Sequence, residues 1–119
     1  MAEHNDLGKK GEEIAKAFLI SKGHHILALN WRHRNEELDI ISTFNDMIIF
    51  TEVKSRAFLY EDASDLISTK KQKYLLDAAD AYMNMHNIEK EGRFDLVFVL
   101  IEGEKYRIEY FEEAFNARF

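Results

Sequence analysis

Two neighbouring runs of strand-forming residues constrain this chain more than any other feature. Glu37-Leu38-Asp39-Ile40-Ile41-Ser42 and Met47-Ile48-Ile49-Phe50-Thr51-Glu52-Val53-Lys54 are rich in β-branched and aromatic side chains, which suit a pleated, half-buried surface. Between them Phe44-Asn45-Asp46 reads as a tight turn, because Asn and Asp tolerate the left-handed backbone that such turns require. With Asn45 and Asp46 as the turn pair, Phe44 faces Met47, Thr43 faces Ile48, and Asp39 falls opposite Glu52. A three-residue loop would instead set Asp39 against Thr51.

Opposed residues of an antiparallel pair project to one side, with Cβ atoms roughly 4.5–5.5 Å apart. Alternation adds Glu37 and Lys54 to that side. Two carboxylates so close repel unless one is protonated or a cation lies between them. Carboxylate oxygens are what a hard divalent ion such as Mg²⁺ prefers. Held by Asp39 and Glu52, such an ion acidifies a bound water and offsets charge on a phosphate oxygen. Lys54 beside it would orient or deprotonate that water, or stabilise the anionic transition state. The plain alternative is a surface salt-bridge group worth little to stability.

A chain of 119 residues with 46% hydrophobic content suits one domain, residues 1–119, with one core. There is no cysteine, so neither a disulfide framework nor a thiolate metal site is available. No apolar run approaches a membrane span and no signal-peptide pattern opens the chain, so a cytoplasmic protein with no membrane partner is expected. The formal net charge of −6 speaks against general nucleic-acid affinity. Its distribution softens that: residues 76–119 hold 5 Lys and Arg against 10 Asp and Glu, whereas residues 1–75 hold 11 against 12. A local basic surface near the carboxylates is compatible with this.

From the start of the chain, Asn5 or Asp6 can cap a helix whose apolar residues Leu7, Ile14, Ala15, Phe18 and Leu19 keep helical spacing, with Gly23 closing it. Gly8 and Gly11 lower helix propensity, and close approach of another backbone or a ligand would account for them. Glu12 beside Gly11 reads, by residue type, as an ordinary solvated glutamate. Residues 25–31 read as a strand, ending in Arg32-His33-Arg34-Asn35. That basic cluster next to Trp31 suits phosphate contacts and base stacking, or simply a solvated turn.

Residues 55–65 read as a loop bearing Phe58, Leu59 and Tyr60. Ser68 caps a second helix with Tyr74, Leu75, Ala78, Tyr82 and Met85 as its apolar stripe. Lys70, Lys71 and Lys73 crowd its first turn, where the dipole disfavours cations and an anionic partner would explain them. A second hairpin over residues 94–111 and a short closing helix over 112–117 complete an α-β-β-β-α-β-β order: an α/β sandwich with a mixed sheet. The five histidines show no zinc spacing.

An aspartate followed, after a hairpin turn, by Glu52-Val53-Lys54 resembles the PD-(D/E)xK motif of the restriction-endonuclease-like superfamily. More closely the chain resembles the bacterial YraN family of predicted endonucleases, similar to archaeal Holliday-junction resolvases. The likeness rests on Gly8-x-x-Gly11-Glu12, Asn30-Trp31-Arg32, Glu37-Leu38-Asp39-Ile40-Ile41, Glu52-Val53-Lys54-Ser55-Arg56, Lys71-Gln72, Arg93-Phe94-Asp95 and Ala114-Phe115. It implies a restriction-endonuclease-like three-layer sandwich and Mg²⁺- or Mn²⁺-dependent hydrolysis of DNA. Asp39, Glu52 and the Val53 carbonyl would be metal ligands, Lys54 the catalytic lysine, and Glu12 the helix-borne acid of the resolvase branch. Arg32, Arg56, Lys70 and Lys71 are the phosphate contacts to expect, and a homodimer would match a four-way junction. The chain departs from the family pattern at Glu36, where glycine is usual. A non-catalytic DNA-binding module and a protein-interaction domain are the competing readings.

Overall fold

The computed structural model describes residues 2–57 and 67–115, with side chains from Asp6 onward. The order is α1 (Ala2–Ser21), β1 (His25–His33), β2 (Glu36–Phe44), β3 (Met47–Ala57), α2 (Thr69–Met85), β4 (Glu91–Glu102) and β5 (Lys105–Phe111). This is the order expected from the sequence. The strands form one five-stranded sheet in the sequential order β1-β2-β3-β4-β5. All neighbours pair antiparallel except β3 and β4, which run parallel across the α2 crossover.

The two-residue turn forms as read: Asn45 and Asp46 have φ of 49° and 65°. Two successive positive φ values match the right-handed twist of the flanking strands. The register is set by this turn, with Phe44 opposite Met47 and Thr43 opposite Ile48, out to Ile40 opposite Thr51. The helices cover opposite faces, giving three layers. Ala15 and Leu19 of α1 pack with Ile40, Val97, Val99 and Ile101. On the other face Leu75, Ala78, Ala79, Tyr82 and Met83 of α2 pack with Leu38, Ile41, Ile48, Phe50 and Phe94. Strand β4, between β3 and β5, is buried from Gly92 to Ile101, as a strand covered on both faces must be. No described helix is long and apolar enough to cross a membrane.

Four expectations are corrected. First, α1 begins at Ala2, so Asn5 and Asp6 lie within the helix rather than capping it; nothing in Ala2-Glu3-His4 breaks the helix earlier. Second, Tyr74 and Met85 are 48% and 65% exposed. The apolar stripe of α2 runs instead through Leu75, Ala78, Ala79, Tyr82 and Met83. Third, residues 112–115 form a turn, not the start of a helix. Asp95 shapes this turn by accepting from the Glu113 amide at 3.0 Å, while the Ala114 amide donates to the Phe94 carbonyl at 2.8 Å. Fourth, residues 55–57 extend β3; Phe58, Leu59 and Tyr60 lie outside the described residues, as do residues 116 and 117.

Asp95 is itself fully buried. It accepts two hydrogen bonds at 2.8 Å from Arg93 and one from the Tyr110 hydroxyl. A buried charge needs such partners. The Arg93-Phe94-Asp95 segment thus ties β4, β5 and the adjoining turn together.

Gly11 is where α1 meets β3. A Cβ there would lie 1.7 Å from Ser55 Oγ and 2.9 Å from Ser55 Cβ, whereas one at Gly8 would meet nothing within 4 Å. The close approach expected for both glycines therefore holds at Gly11 alone. Gly11→Ala is expected to lower stability by about 1–3 kcal/mol through overpacking, despite alanine's higher helix propensity. Chemical denaturation checks this, and Gly11→Ala with Ser55→Gly should recover much of the loss.

Candidate metal centre

The site lies where the β2–β3 ladder ends. Beyond Ile40 and Thr51 the backbone pairing gives way to side chains: the Val53 amide donates to Asp39 Oδ2 at 2.9 Å, and the Asp39 amide faces Glu52 Oε2 at 3.4 Å. Asp39 and Glu52 are therefore brought together, each near the other strand's backbone. Strict alternation lapses here. Leu38 and Ile41, three residues apart, both pack in the α2 layer, whereas Ile40 between them packs in the α1 layer. Strand β1 shows the same lapse, since Ala28 and Trp31 share the α2 layer and Asn30 between them has a left-handed φ of 51°. By the register, Asn30 lies across from Asp39, in the gap between the Leu29–Ile40 and Trp31–Leu38 pairs.

The lapse turns Asp39 toward α1. Carboxylate oxygens of Glu12, Glu37 and Asp39 lie within 4.8 Å of one another. Glu12 arrives from α1, held close by the glycine contact one residue earlier, and the Asn30 side chain hydrogen-bonds to it. Glu52 lies outside this trio and is 3% exposed. It feels the charges of Asp39, Lys71 and Lys54. Sequence reasoning missed Asn30 as a partner of Glu12. Its signal was an asparagine interrupting a strand-forming run, a residue type that enters the left-handed region more readily than most.

Burial and mutual repulsion raise the proton affinity of all three principal acids. Burial foremost, with the charges of Glu12 and Glu37, pushes Asp39 up to about 6, against the Val53 hydrogen bond and the Lys54 charge. Burial, then the Asp39 charge, holds Glu52 well above the ordinary glutamate range. Burial likewise raises Glu12, partly offset by its bond to Asn30. Hard oxygen donors, crowded and short of compensating charge, are the donor set a divalent cation fits.

The cations expected to meet phosphate are differently disposed. Lys71 is hydrogen-bonded to Glu36. Burial opposes the Lys71 charge, but the bond to Glu36 and the charges of Glu36, Glu52 and Asp39 outweigh it and raise its pKa. Arg32 is exposed and 3.6 Å from Glu37. Arg56 Nη1 donates to the Ser55 carbonyl at 2.8 Å. Lys70 is exposed in the first turn of α2, where the Ser68 hydroxyl accepts from the Lys71 amide at 3.1 Å as expected of a cap.

Among the described residues no histidine joins a group of three or more converging ligands. His24 instead bonds Ser42 through Nδ1 at 2.8 Å and stacks on Phe44.

Fold and site together define an α/β protein with an acid cluster at the frayed end of a hairpin, faced by a helix-borne glutamate. A profile of the uncharacterised protein family UPF0102 matches residues 11–99. UPF0102 proteins of Flavobacterium psychrophilum and Parabacteroides distasonis are 38% and 40% identical to it, over 97% and 98% of this chain and 98% of each relative. One from Bacteroides thetaiotaomicron is 40% identical over 97% of this chain and 96% of its own length. The chain belongs to the UPF0102 family, as the YraN-like motifs implied.

The raised acids make stability depend on pH in a defined sense. A carboxyl whose folded pKa lies above its ordinary 3.8 binds more protons folded than unfolded, so stability falls as pH rises from about 4 through 6. Metal-free protein is expected to melt lower at pH 8 than at pH 5 from this contribution. Asp39→Asn should melt higher than the parent at pH 8, by roughly 5 °C or more, with the gap closing toward pH 5. Thermal melts in chelator at the two pH values read this directly.

Proposed function

We propose that this protein is a metal-dependent endonuclease acting on DNA, of the restriction-endonuclease-like PD-(D/E)xK kind and similar in action to Holliday-junction resolvases. The observation that carries the reading is the meeting of Asp39 with the backbone and carboxylate of Glu52-Val53-Lys54 at the end of the β2–β3 ladder. Glu12 and Glu37 stand beside Asp39. Asp39, Glu52 and the Val53 carbonyl would hold Mg²⁺ or Mn²⁺, with Glu12 completing the acidic wall. When bound, the ion supplies positive charge at a phosphate oxygen and acidifies a water.

The chain's own groups do the rest. Asp39 and Glu52 enter the reaction deprotonated, and Lys54, whose charge bears on both, offsets negative charge that builds on the phosphorus-bound oxygens. Asn30 holds Glu12 toward the same point. Lys70 and Arg32, both exposed, would contact the flanking phosphates, joined by Arg56 and by Lys71 once it is drawn from Glu36. A two-fold dimer would present two such sites to paired strands of a junction.

Incubation with linear, flapped and four-way DNA, with and without Mn²⁺, tests the reading. Cutting should require the cation and fall at least a hundredfold in Asp39→Asn and in Lys54→Ala, while DNA binding persists in both. Mn²⁺ should also raise the melting temperature of the parent and not of Asp39→Asn. Equal cutting by parent and Asp39→Asn would overturn the assignment. Binding with a steep salt dependence but no cutting would instead indicate a DNA-binding module.

A further inference from the structure

Between the β1–β2 turn and α2 lies a cavity of about 320 Å³ lined by His33, Arg34, Asn35, Glu36, Tyr74 and Asp77. We propose that it receives a single unstacked nucleobase, so that the protein's substrates are nucleic acids carrying an unpaired nucleotide near the cut; this rests on the endonuclease reading above.

The size comes first. Ligand cavities run from about 300 to 1,000 Å³, and this one stands at the small end, suited to one ring system. Its walls combine ring faces with donors and acceptors. Tyr74 and His33 offer aromatic surface for stacking, and Arg34, Asn35 and Asp77 offer the polar groups that read a base edge. Tyr74 is 48% exposed on a helix whose other large aromatic, Tyr82, is 6% exposed. The core does not require it.

Charge separates a base from a phosphate as the occupant. Arg34 is matched by Asp77 across the cavity, and Glu36 is matched by Lys71. With no surplus of positive charge the cavity favours a neutral ring over an anion. Phosphate contacts lie next to it instead. Lys70, Tyr74 and Asp77 stand at i, i+4 and i+7 of α2 and so share one helical face, which puts an exposed ammonium one turn from the ring. Glu36 joins the two regions: it lines the cavity and bonds Lys71, whose charge bears on Glu52 and Asp39. A strand with its base in the cavity would have its backbone directed along Lys70 and Lys71 toward the acids.

The probe is a duplex with a single-stranded flap containing 2-aminopurine, compared with the same sequence fully paired, at one salt concentration in EDTA so that nothing is cut. The parent is expected to bind the flap more tightly and change the 2-aminopurine fluorescence. Tyr74→Ala should weaken flap binding by about fivefold to a hundredfold, the range for removing one base-stacking side chain. It should leave the paired duplex and the melting temperature unchanged, and Tyr74→Phe should stay within about twofold of the parent. Asn35→Ala, on the opposite wall, should give the same flap-selective loss. Flap binding unaltered in both alanine variants, equal losses for flap and duplex, or no binding of the flap by the parent would each overturn the proposal. Loss of the flap preference leaves metal-dependent cutting at Asp39 standing. A protein that prefers flaps through Tyr74 yet never cuts with Mn²⁺ overturns the endonuclease reading alone.

Discussion

Two left-handed residues, Asn45 and Asp46, set the geometry on which the site depends. Their turn fixes a register, and the register decides which side chains meet at the far end of the hairpin. A slip of one position would exchange the two faces of β2. Ile40 and Ile41 would then leave their layers along with Asp39. The burial of those isoleucines, both 1% exposed or less, therefore defends the placement of the acid. The hydrophobic core and the candidate metal centre are specified by the same pairing.

At the ladder's end, sheet regularity and side-chain chemistry come into local conflict. Backbone bonding yields where Val53 bonds a carboxylate rather than a carbonyl, and the opposite strand yields at Asn30 with its positive φ. Residues held in such conformations carry strain that the surrounding structure must compensate. Here the compensation comes from both packed layers and from the close helix contact at Gly11. The outcome is a cluster of acids whose proton affinities are raised by burial and by one another. Two lysines, 54 and 71, counter it, and one of them is engaged by Glu36. That electrostatic imbalance costs the metal-free fold stability at neutral pH, and a bound cation would relieve it.

Strand propensity and turn chemistry made the β2–β3 hairpin readable, including the approach of Asp39 to Glu52. Hydrophobic spacing placed the inner face of α1 correctly at Leu7, Ile14, Ala15, Phe18 and Leu19. The same reasoning erred at Tyr74 and Met85, because residue type does not distinguish an aromatic that fills a core from one that walls a cavity. Residue type alone read Glu12 as solvated, and only the family resemblance set it at the site, for a helix position alone does not say what lies across from it. The nearness of Glu37 to Asp39 emerged from alternation; that of Glu12 required knowing where α1 docks. Glu36 stood out only as an added negative charge, and its bond to Lys71 depends on α2 crossing above the turn between β1 and β2.

The order of elements, the turn type, the register and the family were determined by the sequence itself, because each is written in neighbouring residues or in short motifs. The approach of Glu12 and Asn30 to each other beside Asp39, the pairing of Glu36 with Lys71, and the cavity walled by Tyr74 were decided only when the chain closed. These contacts join residues far apart along the chain, and their existence depends on which helix covers which face and how closely it approaches. Local propensity carries no information on that distance; packing around Gly11 and the two core layers supplies it.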